Sequence, residues 1–381
     1  STARPAAIEL DGVPATLPPE DPLRASDRPC VWCPPLLLGL VLSVLALAAP
    51  GCGPEEMPHS DRPNILFLMT DDHTVQAMSC YGSRINETPQ LDRLARGGIR
   101  FTQAFCTNAI CAPSRATMLT GKYSHANGVL VNGTGFDGSQ TTFPRLLQAA
   151  GYQTALVGKW HLSTAPTGFD YWNVLPGQGH YYNPDFRGPD GTRRVPGYVT
   201  DLITDDALRW LDARDANRPF CLLLHLKAPH RNWMPPPRHL RLFEDEDIPL
   251  PTSYFDDHAS RGDAARQQEM TVAGHLHDAS DLKLAPPAPS TEDLAWWLQA
   301  FDRMSPEQQE AWESAYGPRN ARFRADPPTG RALTEWKYQR YLKDYLRCVA
   351  TVDENVGRML DYLDASGLAD DTLVVYTSDQ G

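Results

Sequence analysis

The chain has 381 residues, 41% hydrophobic and 22% charged, which is enough to bury a sizeable core and unlike a disordered or fibrous sequence. Its 35 basic residues face 47 acidic ones, a net charge of -12; this excludes the basic footprint of a nucleic-acid binder but not a locally basic pocket for a small anion. The 34 prolines favour many fixed turns over a helical bundle.

Residues 1–60 read as an export leader. Pro34–Pro50, PPLLLGLVLSVLALAAP, carries no charge, is short for a spanning helix and has the length of a signal-peptide core. Leu47-Ala-Ala-Pro-Gly-Cys52 resembles a bacterial lipoprotein cleavage box, from which Pro50 departs. The expectation is an exported protein, periplasmic or at the cell surface, with membrane anchoring through a lipid on Cys52. A plain secretory signal and a single anchor helix are the alternatives. The chain opens on Ser1 rather than Met, far ahead of the apolar run, which suggests a misassigned start. Cys30-Val-Trp-Cys33 has redox spacing but lies in a segment expected to be removed. The cysteines of the body, Cys80, Cys106, Cys111, Cys221 and Cys348, are too few and too irregular for a disulfide scaffold.

After an acidic, proline-rich linker, Asn64–Met69 is a continuous apolar run of strand length, ending in Thr70-Asp71-Asp72-His73. Thr88–Arg96 reads as a helix, with Thr88 as N-cap, Pro89 at its first position and Gly97-Gly98 closing it. Further strands are predicted at Thr154–Val157, Phe220–Leu226 and Thr372–Thr377, and helices at Phe143–Ala150, Val199–Asp212 and Trp336–Ala365. Alternating strands and helices predict an α/β class, a large and mostly parallel central sheet with helices on both faces. Residues 241–330 differ: rich in charge and proline, without a strand signal, and with one helical stretch at Thr291–Ala315. They read as an insertion or lid near a substrate cleft, or as a surface excursion.

Cys111-Ala-Pro-Ser-Arg115, continuing to Thr120-Gly121, carries the most specific signal. Pro113 and Ser114 suit the first turn of a helix and Gly121 its stop, so Cys111 stands at a helix N-terminus. There the helix dipole favours an anion and would depress the thiol pKa. Standing alone, the cysteine reads rather as a buried thiol capping an ordinary helix. The string Cys-x-Pro-Ser-Arg followed by Thr-Gly resembles the signature of type I sulfatases, whose maturation enzymes oxidise the cysteine to formylglycine. The resemblance runs from Pro63 to Gly381. It includes, in order, Asp71-Asp72, Gly158-Lys-Trp-His-Leu162, Leu224-His-Leu-Lys-Ala-Pro-His230 and Tyr376-Thr-Ser-Asp-Gln-Gly381.

The resemblance implies an alkaline phosphatase-like fold and a metal site of hard oxygen ligands for Ca2+ or Mg2+, formed by Asp71, Asp72, Asp379 and Gln380 with the formylglycine at Cys111. On the residues alone, an aspartate pair in a turn is usually solvated, and these two converge only because the strand stops there. The resemblance further implies that Lys159, His161 and His230 contact the sulfate, with His230 giving a proton to the departing alcohol. Strand alternation places Lys159 and His161 on one side and Trp160 on the other. Arg115 would fix the hydrated aldehyde, one hydroxyl of which attacks sulfur while the other later yields its proton to His161. Lys122 is expected to face outward.

Lys227–Trp233 and Gly168–His180 are similar to the subgroup that includes N-acetylglucosamine-6-sulfatases, which implies a sulfated carbohydrate substrate, with Arg231 and Trp233 as sugar contacts. The alternatives are a phosphonate or phosphate monoester hydrolase of the same superfamily, and a non-catalytic sugar-binding surface lipoprotein. The implied protein partner is a formylglycine-generating enzyme, and no nucleic acid is expected. Because the chain stops one residue after Gln380, the C-terminal subdomain and a further sulfate-binding lysine implied by the resemblance are expected to be missing, and the chain as it stands to be unstable or inactive.

Overall fold

The computed structural model describes residues 62–284 and 292–381. The Pro34–Pro50 stretch, Cys52 and the expected helix start at Thr291 lie outside the described residues. Among the described residues no helix is long and apolar enough to cross a membrane.

The strands are β1 (Asn64–Thr70), β2 (Gln153–Lys159), β3 (Tyr171–Leu175), β4 (Asp185–Gly188), β5 (Gly191–Arg194), β6 (Phe220–His225) and β7 (Thr372–Ser378). They form one sheet in the order β5-β4-β3-β2-β6-β1-β7. The pairs linking β3, β2, β6, β1 and β7 are parallel, and β4 and β5 add antiparallel at one edge. The helices are α1 (Pro89–Gly97), α2 (Cys111–Thr120), α3 (Ser124–Asn127), α4 (Phe143–Ala149), α5 (Val199–Ala213), α6 (Asp263–Gln267), α7 (Val272–His275), α8 (Glu292–Phe301), α9 (Pro306–Ala325) and α10 (Gly330–Ala365).

Period-2 alternation along the central strands divides their side chains between two cores. Leu66, Leu68, Ala155, Val157, Leu222 and Leu224 pack with Ile203 and Ala207 of α5 and Val352 and Met359 of α10. Ile65, Phe67, Leu156, Cys221 and Leu223 pack with Ala112, Ala116 and Leu119 of α2 and Phe143 and Leu147 of α4. Helices therefore cover both faces, and each fully buried Leu contributes about 1.5–3 kcal/mol of transfer free energy. The register sets Leu66 against Leu222 and Leu68 against Leu224, so β1 and β6 end side by side.

Several expectations change. The helix predicted over Thr291–Ala315 is two, because Ser305-Pro306 is a start signal: Ser305 caps Gln308 N, the Gln308 side chain returns to Ser305 N, and Pro306 opens α9. Within residues 241–330, Trp297, Trp312 and Tyr316 join the core shared with the sheet, and α10 begins at Gly330, ahead of the expected Trp336. Thr88 does not cap α1. Its hydroxyl accepts from Ser79 N, and the cap comes from Asp353 of α10, whose carboxylate accepts from Gln90 N and Leu91 N. Strands β3, β4 and β5 were not expected; β5 is the exposed string Gly-Thr-Arg-Arg, which no hydrophobic pattern marks.

Candidate active site

Strands β2, β6, β1 and β7 are parallel neighbours, so their carboxyl ends form one rim, where open α/β sheets hold ligands. β1 stops at Thr70, and Asp72 then takes a left-handed conformation with φ 67°. This reversal lets two consecutive carboxylates face one place. One carboxylate oxygen each from Asp71, Asp72 and Asp379 lie within 4.8 Å of one another, and Asp71 and Asp379 are buried. Gln380, just past β7, donates from Nε2 to Asp72 Oδ1 at 2.6 Å.

Cys111 opens α2, which ends on Gly121 at φ 65°. The thiol lies 3.4 Å from Asp71 Oδ1, 3.4 Å from Gln380 Nε2 and 3.6 Å from Lys159 Nζ. The expected depression of its pKa is reversed: burial and the charge of Asp71 push it up to about 11, against the pull of Lys159. A helix terminus is worth about 1 kcal/mol, too little to offset desolvation beside a carboxylate. The first free amide of the helix is also taken, since Ala112 N donates to Asn132 Oδ1 at 3.0 Å.

Arg115, one turn further on, is fully buried. Its Nε donates to Asp379 Oδ2 at 3.0 Å and its Nη1 to the carbonyl of Lys159 at 2.7 Å, tying α2 to the ends of β7 and β2. Lys159 closes β2 and forms an ion pair with Asp71. Burial would raise the Asp71 pKa, but Lys159 and Arg115 outweigh it and hold the carboxyl below its usual range. Asp379 goes the other way, to about 7, where burial and Asp71 prevail over Arg115. Asp72 is also raised, by burial and by Asp71.

His161 does not follow the strand alternation expected for it. β2 ends at Lys159 and His161 sits at φ 55°, so a turn sets its direction. Its Nδ1 is buried without a hydrogen-bond partner, and burial, then Lys159 and Arg115, lower its pKa to about 4. Gly158 makes the close packing behind it: at φ 106°, a Cβ there would stand 1.9 Å from the carbonyl oxygen of His225.

His230 faces Asp72 Oδ2 with Nε2 at 3.9 Å. Its Nδ1 meets the carbonyl of Arg231, which only accepts, so Nδ1 carries the proton of the neutral ring and Nε2 is left toward the cluster. Burial brings its pKa down to about 3. Arg231 and Trp233, expected to touch sugar, have partners inside the fold. Arg231 Nε donates to Asp281 Oδ1 at 2.8 Å. The Trp233 ring packs 5.3 Å from Tyr341 and 6.5 Å from Tyr345. Lys122 is exposed, its Nζ 3.3 Å from Gln140 Oε1.

Sequence reasoning missed several groups. His225 donates from Nδ1 to the carbonyl of Lys159 at 3.1 Å and leaves Nε2 buried without a partner. A histidine closing an apolar strand was its visible signal. Tyr345 of α10 donates to Asp72 O at 3.0 Å and accepts from Thr74 N at 2.9 Å, holding the Asp72 turn from a helix far along the chain, with no local signal. Lys227, inside the quoted string, carried no assigned role.

The donor set fits a hard divalent cation. Three carboxylates converge, and the side-chain oxygen of Gln380 is buried with no hydrogen-bond partner, a valence that a cation would meet.

A parallel sheet with these groups on one rim defines an α/β protein of the alkaline phosphatase-like class. A phosphonate monoester hydrolase of Agrobacterium radiobacter shares the fold at a TM-score of 0.53 and 21% identity, over 84% of this chain and 62% of that one. The family model described as Sulfatase matches residues 63–381, and the chain belongs to the sulfatase family. It is 50% identical over 347 residues to an N-acetylglucosamine-6-O-sulfatase of Bacteroides thetaiotaomicron, covering 90% of this chain and 62% of that protein. It is 31% identical over 255 residues to the human N-acetylglucosamine-6-sulfatase, covering 59% and 44%. The solved structure of BT4656 in complex with its substrate D-glucosamine-2-N,6-O-disulfate matches at a TM-score of 0.80 and 51% identity, covering 84% of this chain and 66% of that one. The chain thus spans less than two thirds of the length of these relatives.

Proposed function

We propose that this protein hydrolyses sulfate esters of carbohydrates, of the N-acetylglucosamine-6-sulfate kind, with a formylglycine made from Cys111 as nucleophile. The observation that carries this reading is Cys111 at the start of α2, 3.4 Å from Asp71 and beside the three-carboxylate cluster and Lys159. Similarity to the two N-acetylglucosamine-6-sulfatases and to the complex with a sulfated glucosamine supports the substrate class.

Asp71, Asp72, Asp379 and Gln380 would hold the cation, Ca2+ or Mg2+. When present, the hydrated aldehyde and the cation together supply an activated oxygen and a charge that steadies the sulfate oxygens. The chain's own side chains do the rest. Lys159 adds positive charge where negative charge builds on the sulfate. Arg115 fixes Asp379 and the end of β2 at once, and so the spacing of the cluster. As the ester S–O bond breaks, His230 Nε2 is the group to hand a proton to the departing alcohol oxygen. Its low pKa in the free protein reflects burial, and a bound anion raises it toward the value a proton donor needs. The unpartnered Nδ1 of His161 is free to accept the proton released when sulfate leaves.

The reading includes a formylglycine-generating enzyme as partner, and export to the periplasm or cell surface with a lipid on Cys52. It is tested by mass spectrometry of the tryptic peptide Phe101–Arg115 from the native host, together with turnover of N-acetylglucosamine-6-sulfate and an aryl phosphonate. An aldehyde mass and preferential sulfate release are expected. An unmodified thiol without sulfate release would refute it, and faster phosphonate cleavage would move the chain to the phosphonate hydrolases.

A further inference from the structure

One buried cation near the strand ends has no task in the scheme above. Lys227, two residues beyond β6, is 3% exposed. Among the described residues its ammonium has no hydrogen-bond acceptor and no carboxylate at ion-pair distance. Its contact is the face of Tyr181, 4.7 Å away at the ring centroid. That ring cannot give way, because Tyr181 is buried, stacks on Tyr198 and donates its hydroxyl to the carbonyl of His230 at 2.5 Å. The other fully buried lysines are answered: Lys159 by Asp71, and Lys283 by Asp344 at 3.5 Å and the carbonyl of Asp281 at 2.8 Å.

A largely buried ammonium that has an aromatic face but no hydrogen-bond acceptor or counter-charge is costly to hold, and an anion received there would offset that cost. The charges at the centre point the same way. Ionised around a bound cation, Asp71, Asp72 and Asp379 would carry three negative charges against the three positive ones of Arg115, Lys159 and Lys227. A divalent cation on the carboxylates would leave a positive surplus that only an incoming anion neutralises. Lys227 belongs to this centre electrostatically. Burial and Lys159 draw its pKa down to about 8 while Asp71 and Asp72 oppose them, so it stays mostly charged at neutral pH.

We propose that Lys227 is a further substrate-binding residue, whose ammonium takes an oxygen of the sulfate group from the His230 side while Lys159 serves the Cys111 side. The proposal rests on the sulfate-ester reading above and assigns it a residue that none of the matched segments had singled out. The cushion of Tyr181 also gives Lys227 a link to His230: an anion drawn to the ammonium pulls on the same tyrosine that grips the His230 carbonyl.

The test is Lys227→Met in the full chain, with Lys227→Gln as a second variant that keeps a hydrogen-bond donor. Two quantities are read: the affinity for inorganic sulfate by calorimetry, and the melting temperature in sodium sulfate against sodium chloride at equal ionic strength. Lys227→Met should melt at or above the wild-type temperature without sulfate, because the charge is removed and the stem's volume kept. It should bind sulfate about tenfold more weakly or worse, and lose most of the sulfate-induced rise in melting temperature. Equal sulfate affinity in wild type and variant would overturn the proposal. So would a melting temperature well below wild type in both variants without sulfate, since Lys227 would then be a counter-charge for the fold. A wild-type chain that neither binds sulfate nor cleaves a sulfate ester would refute the function itself, a result distinct from either.

Discussion

Among the described residues, two buried charge centres are finished differently. Between α9 and α10, Asp344 Oδ1 accepts from Tyr316 at 2.5 Å and from Arg347 at 2.7 Å, while Lys283 Nζ stands 3.5 Å from Oδ2. Arg340 completes it, giving hydrogen bonds to Asn320 Oδ1 at 2.6 Å and Leu282 O at 2.8 Å and lying over the Tyr316 ring at 4.6 Å. Burial would raise the Asp344 pKa, but Lys283 and Arg347 hold it low. At the strand ends the charges are just as deep, yet Gln380 Oε1, His161 Nδ1 and His225 Nε2 have no partner, and Lys227 rests on a ring. Buried charge by itself therefore does not mark a site. Nor does one open valence, since Asp344 Oδ2 also lacks a hydrogen bond and meets only the Lys283 ammonium; the strand ends differ in gathering several unmet groups on one rim.

The contrast breaks most sharply by mutation. Cys111→Ala should lower sulfate-ester turnover by on the order of 10^4-fold, measured at steady state, while its urea midpoint stays close to wild type. A large loss of stability instead would class Cys111 with the structural centre. Asp344→Ala should do the reverse. It leaves Lys283 and Arg347 without their common partner and should cost about 3–5 kcal/mol in urea unfolding. At low temperature, where the variant is folded, turnover should persist; its disappearance would join the two centres functionally.

Gly158→Ala probes the wall between β2 and β6. Its methyl group would stand 1.9 Å from the His225 carbonyl oxygen at a backbone angle unsuited to alanine, so a loss of roughly 2–4 kcal/mol is expected. A near-neutral result would mean that the strands part easily and that the rim is softer than drawn.

Acid should find the strand-end centre through its histidines. Burial lowers His73 to about 4 and His225 well below its ordinary value of 6.5. The unfolded chain takes up protons near 6.5 that the folded chain refuses. Their contribution is therefore complete above about pH 6.5 and declines as the pH falls toward 4, by about 1.4 kcal/mol per pH unit for each. Urea midpoints across that range give the slope, and His225→Gln should flatten it by about that amount. An unchanged slope would mean that His225 is already charged in the fold. The smallest effect belongs to the surface: Arg238 reaches Asp201 and Glu354, each at 2.8 Å, but its side chain is 43% exposed. Arg238→Ala should cost no more than about 1 kcal/mol, and a larger loss would show that exposed pairs are held here as firmly as buried ones.

What the sequence determined by itself is what local chemistry decides. The apolar runs became β1, β2, β6 and β7 within two residues of their expected ends. β2 and β6, buried on both faces, leave an unbroken hydrophobic signature, and β7 keeps an apolar run although it is only partly buried at the sheet edge. Pro113 and Gly121 bounded α2, and the matching strings identified Asp71, Asp72, Cys111, Lys159, His230, Asp379 and Gln380 as a group before any contact among them was known. Short, largely polar β4 and β5 left no such trace, because pairing at a sheet edge needs backbone partners rather than hydrophobic side chains. β3, Tyr-Trp-Asn-Val-Leu, is by contrast a largely apolar run in which no strand was expected. Tertiary structure alone decided the direction of the thiol pKa, the turn that aims His161, and the engagement of Arg231 and Trp233 inside the fold. It also decided the isolation of Lys227, for partnership and desolvation are properties of neighbours that the chain brings together from far apart.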